Sequence, residues 1–137
     1  SGLGVESRIS ARQLAGMLAY AENSGGGAGV LRHMLPIAGW KGWMKERLAE
    51  PETALRVWAK TGTMHYGAGL AGYMLVPGKG MVAVAVYAMD EEARAAYDAV
   101  VLDPPEEMEI AAGEWRRRAR AEIDRTLLEI YRRLTAE

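Results

Sequence analysis

Between Leu55 and Thr63 the apolar residues Leu55, Val57 and Ala59 alternate with Arg56, Trp58 and Lys60. A period of two predicts a strand with one buried face. Leu70 to Val76 predicts a second strand, and Pro77-Gly78-Lys79-Gly80 supplies a turn after it. The run Met81 to Met89 is apolar almost throughout. It predicts a third strand, covered on both faces and therefore central in its sheet. The short connections make the three an antiparallel meander.

Elsewhere the period lengthens. Leu14, Met17, Leu18 and Ala21 recur at helical spacing, predicting a helix from about Ala11 to Glu22. Ser10 is its N-cap, and Gln13 three residues on completes a capping box. Ser1 to Arg8 reads as a turn or loop. Asn23-Ser24-Gly25-Gly26-Gly27 ends the helix; with no Gly-Lys-Ser/Thr after it and no strand before it, this is a helix stop and flexible loop, not a phosphate loop. Val30 to Leu35 predicts a short helix ending before Pro36. Trp40, Trp43, Met44 and Leu48 form a further apolar face, read as core, that ends near Pro51. Asp90 caps a short helix through Tyr97, and Asp103-Pro104-Pro105 interrupts the chain. A long helix then runs from about Glu107 to Leu134, with the stripe Trp115, Ala119, Ile123, Leu127, Ile130 and Leu134. Arg116-Arg117-Arg118 sits beside Glu114, Glu122 and Asp124 and reads as a solvated face. A helix with one apolar stripe packs on the sheet. The expected fold class is α/β of the α+β type, an antiparallel sheet of about three strands flanked by helices.

Composition narrows the chemistry. A chain of 137 residues with half its residues hydrophobic builds one domain with a core. The net charge of -1 gives no field for nucleic acid. Cysteine is absent, which removes thiol catalysis and thiolate metal sites. No apolar run is long enough for a membrane span, and no signal-peptide pattern is seen. His33 has no acid close to it in sequence; His65, beyond the first strand, reads either as lining a cleft there or as an exposed turn residue, and the second reading is preferred. No His-Glu-x-x-His or similar spacing suggests a metal, and no cofactor is implied.

The chemistry that remains lies at the end of the first strand. Lys60-Thr61-Gly62-Thr63 offers an ammonium for a carboxylate, two hydroxyls as hydrogen-bond donors, and a glycine where a substrate can lie flat on the strand. An exposed backbone N–H there can face a developing oxyanion. Lys-Thr-Gly is a signature of active-site serine enzymes that act on β-lactams and D-alanyl peptides. The run Trp58-Ala59-Lys60-Thr61-Gly62-Thr63, followed by Gly69-Leu70-Ala71-Gly72-Tyr73, resembles the class C low-molecular-mass penicillin-binding proteins, the D-alanyl-D-alanine carboxypeptidase/endopeptidase family. Ser1-Gly2-Leu3 is similar to that family's Asp-Gly-Ser-Gly-Leu turn, and Leu35-Pro36-Ile37-Ala38-Gly39 to its Leu-Pro-x-Ala-Gly segment. The resemblance extends from Ser1 to about Met89.

It implies part of a penicillin-binding-protein/β-lactamase-like transpeptidase fold, with residues 1–137 as the C-terminal portion of a D,D-peptidase domain. It also implies acyl transfer through an activated serine, with Lys60 catalytic and Thr61, Gly62 and Thr63 binding substrate. The implied partners are a peptidoglycan stem peptide ending in D-Ala-D-Ala, β-lactams, and the N-terminal portion of the same domain. The implied location is periplasmic or extracytoplasmic. The family also uses Ser-x-x-Lys and Ser-x-Asn, which lie upstream of its Gly-Ser-Gly-Leu turn. Neither pattern occurs here: the serines are Ser1, Ser7, Ser10 and Ser24, and the sole asparagine, Asn23, follows Ala21-Glu22. The chain is therefore expected to be inactive alone. It departs from the family at Gly39-Trp40-Lys41-Gly42-Trp43-Met44, where Gly-x-Asp-Gly-Thr/Ser-Leu is usual, and at Gly4-Val5-Glu6-Ser7. Two other readings share the pattern: a non-catalytic binding or interaction domain, and a β-lactamase-like serine esterase.

Overall fold

A computed structural model describes residues 8–24, 29–40 and 42–137. The expectations for Ser1-Gly2-Leu3, Gly4-Val5-Glu6-Ser7 and Gly25-Gly26-Gly27 lie outside the described residues, as does Lys41. Helix α1 (Ala11–Asn23) starts with the expected capping box. The Gln13 N–H donates to Ser10 Oγ at 3.1 Å, and the Ser10 N–H donates to Gln13 Oε1 at 2.9 Å. At its far end Asn23 Nδ2 and Ser24 Oγ each donate 2.7 Å bonds to the carbonyls of Ala19 and Tyr20 in the last turn. Helix α2 (Val30–His33) is a single turn that stops ahead of Pro36.

Three strands, β1 (Val57–Met64), β2 (Gly67–Val76) and β3 (Gly80–Met89), form an antiparallel sheet in the order β1-β2-β3. A two-residue turn, His65-Tyr66, joins the first pair. Directly opposed residues share a face of the sheet. Val57, Ala59, Thr61 and Thr63 of β1 therefore lie on one face with Leu70, Met74 and Ala68 of β2 and with Val82, Val84 and Val86 of β3. Helix α4 (Glu106–Ala136) covers this face, packing Ile123, Leu127 and Tyr131 on Val57, Leu70, Met74 and Val84. On the other face lie Trp58, Lys60 and Gly62 with Ala71 and Tyr73. Helix α1 crosses that face, and the buried Tyr73 hydroxyl donates to the Leu18 carbonyl at 2.9 Å.

The apolar run of β3 is thus covered on both sides, by α1 and α4, as expected. Its position differs from the expectation: among the described strands β2 is central and β3 an edge. Two-sided helix cover produces a continuous apolar run wherever a strand sits in its sheet. Helix α3 (Glu91–Asp98) is capped by Asp90, whose Oδ1 accepts from the Ala93 N–H at 3.0 Å.

The segment ahead of β1 corrects two expectations. Trp40 and Trp43 are 60% and 75% exposed, while Met44 and Leu48 are buried. Gly39, Gly42 and Leu48 have positive φ, and only a single 3-10 turn, Gly42–Met44, forms. Helical spacing does not survive such turns, so the two indoles point outward. Leu55 also has φ +61 and is 53% exposed, so the strand begins at Val57. Before it, Pro36 to Ala38 pair with the outer edge of β1. The Ala38 N–H donates to the Val57 carbonyl at 2.9 Å, and the Ala59 N–H to the Pro36 carbonyl at 3.0 Å.

Gly72 faces Ala59 across the β1–β2 ladder. A Cβ there would lie 2.0 Å from the Trp58 carbonyl oxygen and 2.6 Å from Ala59 Cα, both backbone atoms that cannot rotate away. Gly72→Ala is expected to destabilise the chain by about 3 kcal/mol. Gly16, inside α1, would place a methyl within 4 Å of nothing. Gly16→Ala is expected to stabilise by about 0.5–1 kcal/mol. Urea unfolding of both variants checks the contrast; a wild-type midpoint for Gly72→Ala would refute the close approach.

Candidate active site

Alternation along β1 decides where each candidate side chain goes. Lys60 lies on the α1 side of the sheet, exposed, with its ammonium donating to the carbonyl of its own neighbour Thr61. Thr61 and Thr63 lie on the α4 side. Gly62 is exposed, and a methyl added there would meet nothing within 4 Å. The four residues are consecutive, yet their side chains are divided between two faces.

Their backbones share the edge instead. Val57 and Ala59 turn their peptide groups outward to Pro36–Ala38, while the Arg56 carbonyl turns inward to the Leu75 N–H. Continuing the alternation turns the N–H and C=O of Thr61 and Thr63 outward as well. Among the described residues no backbone group pairs with the outer edge beyond Ala59. The strand's outer rim is therefore half closed and half open, and the open half is Lys60 to Met64.

On the α4 side, Thr61 and Thr63 line a cleft of about 450 Å³. Trp43 and Arg47 enter it from the segment ahead of β1, and Arg116, Arg117 and Arg120 from α4. Arg47 is buried and held by Asp124 of α4, with Nε 3.0 Å from both carboxylate oxygens. The arginine run of α4 does not form one solvated face: Arg116 is half-buried and lines the cleft, while Arg118 remains exposed. The signal was present in the sequence. Arg116 and Arg120 are four residues apart, and each lies three before a residue of the buried stripe, Ala119 and Ile123.

The turn beyond β1 is packed. His65 stacks on Tyr97 with ring centroids 4.0 Å apart, so it is neither a cleft residue nor a free turn residue. Tyr66 takes φ +52 to reach the same cluster, meeting Tyr97 and Trp115. The Tyr97 hydroxyl donates to Glu109, and that bond, with burial, pushes the phenol up to about 12. Among the described residues no group of three His, Asp or Glu side chains could hold a metal ion, and no helix is long and apolar enough to cross a membrane.

A model of the D-Ala-D-Ala carboxypeptidase 3 (S13) family matches residues 1–102. No curated protein matches the chain. Among solved structures the chain is similar to penicillin binding protein 4 (dacB) from Haemophilus influenzae, in a complex with a novel beta-lactam and in a second crystal structure. Identity is 27% and the TM-score 0.59 in both, over 65% of this chain and 21% and 20% of the other. The chain thus spans about a fifth of the length of these relatives. This chain's helices about a three-stranded antiparallel sheet, and its likeness to these structures, agree with the penicillin-binding/β-lactamase-like fold expected from the motifs.

The Arg47–Asp124 pair gives the cleft its back wall, and its loss should be felt in stability. Asp124→Ala strands a buried guanidinium and is expected to destabilise by about 2–3 kcal/mol, at the low end for such pairs because Asp124 keeps some contact with water. Arg132→Ala removes an exposed pair with Glu52 and should change stability by less than about 1 kcal/mol. Thermal unfolding of the two variants side by side is the measurement; equal shifts would show that burial does not set the difference.

Proposed function

The chain belongs to the D-Ala-D-Ala carboxypeptidase 3 (S13) family, and we propose that it supplies the Lys-Thr-Gly strand of a serine D-alanyl-D-alanine carboxypeptidase/endopeptidase. The observation that carries this reading is the open outer edge of β1 at Lys60 to Met64, where Thr61 and Thr63 have no backbone partner among the described residues. A substrate peptide ending in D-Ala-D-Ala, or a β-lactam in its place, adds to this edge as an extended strand. Gly62 leaves room for it. An edge ligand lies between the two faces of the sheet, so Lys60 on one side and the Thr61 and Thr63 hydroxyls on the other all reach it.

In this reading a serine oxygen attacks the carbonyl carbon of the penultimate D-alanine, and the Thr63 N–H donates to the oxyanion that forms. The C–N bond breaks, the terminal residue leaves as an amine after gaining a proton, and water hydrolyses the acyl ester. Lys60 stabilises the negative charge during attack. The serine comes from Ser-x-x-Lys, and a further hydroxyl from Ser-x-Asn, both absent from these 137 residues. We therefore assign them to an N-terminal portion of the same domain, in a periplasmic or extracytoplasmic enzyme of the peptidoglycan layer.

Two outcomes test the proposal. Exposed to a β-lactam, this chain by itself is expected to show no covalent adduct by mass spectrometry; a stoichiometric adduct on Ser1, Ser7, Ser10 or Ser24 would contradict the assignment of the nucleophile. In the complete enzyme Lys60→Ala is expected to slow acylation by labelled penicillin about a hundredfold or more, equivalent to about 3 kcal/mol of transition-state stabilisation. Its melting temperature should hardly move, because Lys60 is exposed and makes no ion pair among the described residues. An unchanged acylation rate in a folded variant would return Lys60 to the role of an ordinary surface lysine.

A further inference from the structure

The cleft beside Thr61 and Thr63 carries more positive charge than its neighbours neutralise. Arg47 is paired with Asp124, and Arg117 lies 3.9 Å from Glu114. Arg116 and Arg120 are different: among the described residues neither makes an ion pair or a hydrogen bond through its guanidinium. Elsewhere in the fold Arg32, Arg94, Arg125 and Arg132 each hold a carboxylate. The acids of this part of α4 are engaged too, Glu109 by Tyr97 and Glu122 by Arg125.

Two guanidiniums four residues apart on one helix repel at a cost of a few tenths of a kcal/mol; Arg116 is half-buried and Arg120 exposed. They line the same 450 Å³ cleft as the two threonine hydroxyls. Gly113, one turn before, has no side chain to fill the space between helix and sheet, and a Cβ there would lie 3.8 Å from Arg116 Nη2. A planar fork of N–H donors beside two hydroxyls is the donor set that suits a carboxylate.

We propose that this cleft is a carboxylate-binding subsite in which Arg116 and Arg120 hold the terminal carboxylate of the peptide that lies on the β1 edge. The inference rests on the function proposed above but adds residues to it. Both arginines lie beyond residue 102, outside the stretch that matches the family. Their contribution therefore belongs to the way α4 of this chain crosses the sheet. In an extended strand the carboxylate follows the scissile carbonyl by one residue, which directs it from the Thr63 N–H toward the Thr61 hydroxyl and the α4 side.

The test is an NMR titration of the 15N-labelled chain with N-acetyl-D-alanyl-D-alanine, with its C-terminal amide, and with acetate, at constant ionic strength. The free acid and acetate are expected to shift the side-chain Nε–H signals of Arg116 and Arg120, and the amide to leave them in place. In the double variant Arg116→Gln/Arg120→Gln affinity for the free acid should fall at least tenfold, with partial recovery in Arg116→Lys/Arg120→Lys. Glutamine is a good helix former, and a thermal melt confirms that each variant folds. Arginine signals that ignore both carboxylates, or a double variant that binds the acid as the wild type does, would overturn the subsite. If the dipeptide shifts the Thr61 and Thr63 amides but not the arginines, the subsite falls and the proposed function stands. If acetate shifts the arginines while the dipeptide shifts nothing, the cleft attracts small carboxylates without holding this peptide, and both the subsite as proposed and the peptide reading of the β1 edge fall.

Discussion

The ion pair between Arg47 and Asp124 fixes where helix α4 crosses the sheet, and the candidate site takes its shape from that crossing. Arg47 belongs to a segment with little regular structure, three residues beyond a single 3-10 turn ending at Met44. Ala38, Met44 and Leu48 anchor the segment in the main core. Polar ties add to them: Arg47 to Asp124, Arg56 to the Tyr131 hydroxyl at 3.1 Å, and Glu52 to Arg132. The three partners on α4 are seven and one residues apart, two turns of one helix face and its neighbour. A shift of the helix by one turn would break all three together. The buried member matters most, because a guanidinium without its carboxylate cannot recover its hydration inside the fold. With Asp124 held at Arg47, the turn of α4 that carries Arg116 and Arg120 sits over Thr61 and Thr63, and Trp43 closes one side.

The second constraint is the two-residue period of a strand. It places Lys60 and Thr61 on opposite faces, and no rotamer of either can undo this. A binding site confined to one face of the sheet could use only half of the Lys-Thr-Gly-Thr sequence. An edge site escapes the limit, because a ligand that pairs with the backbone is flanked by side chains from both faces. Pro36 to Ala38 close the first half of that edge and stop at Ala59. The open remainder is four or five residues long, the span of a short extended peptide.

Much of this was legible in the sequence where short-range rules govern. The Ser10/Gln13 capping box, the Asp90 cap, the turn after Val76 and the α4 stripe depend on residues within one or two turns of each other, and all formed. Expectations failed where backbone conformation broke the assumed period. Trp40, Trp43 and Leu55 lie among positive-φ residues, so counting in threes and fours, or in twos, placed them wrongly. β3 misled for another reason: an apolar run reports cover on two faces, not the presence of a neighbour on each edge. His65 depended on a distant partner, Tyr97, which no local pattern names, whereas the spacing of Arg116 and Arg120 ahead of Ala119 and Ile123 marked their place beside the stripe but not the threonines they face. The half-open edge was equally invisible, since it is defined by where Pro36–Ala38 ends its pairing.

An open edge strand with unpaired N–H and C=O groups is a template for unwanted pairing with another chain. Proteins guard such edges with charge, most often lysine, and the exposed Lys60 stands at the start of the open half. Its ammonium folds back onto the Thr61 carbonyl, occupying one of the very acceptors that a foreign strand would use. The same charge that guards the edge is the one that the proposed reaction needs at its carbonyl. In the proposed function, a carboxylate-bearing peptide draws that ammonium from the Thr61 carbonyl to itself and frees the acceptor for its own backbone N–H. A neutral strand offers the ammonium nothing in exchange and has to displace it. On that proposal, discrimination between substrate and aggregate rests on one side chain and on the negative charge of the ligand, the property proposed also to be read by Arg116 and Arg120.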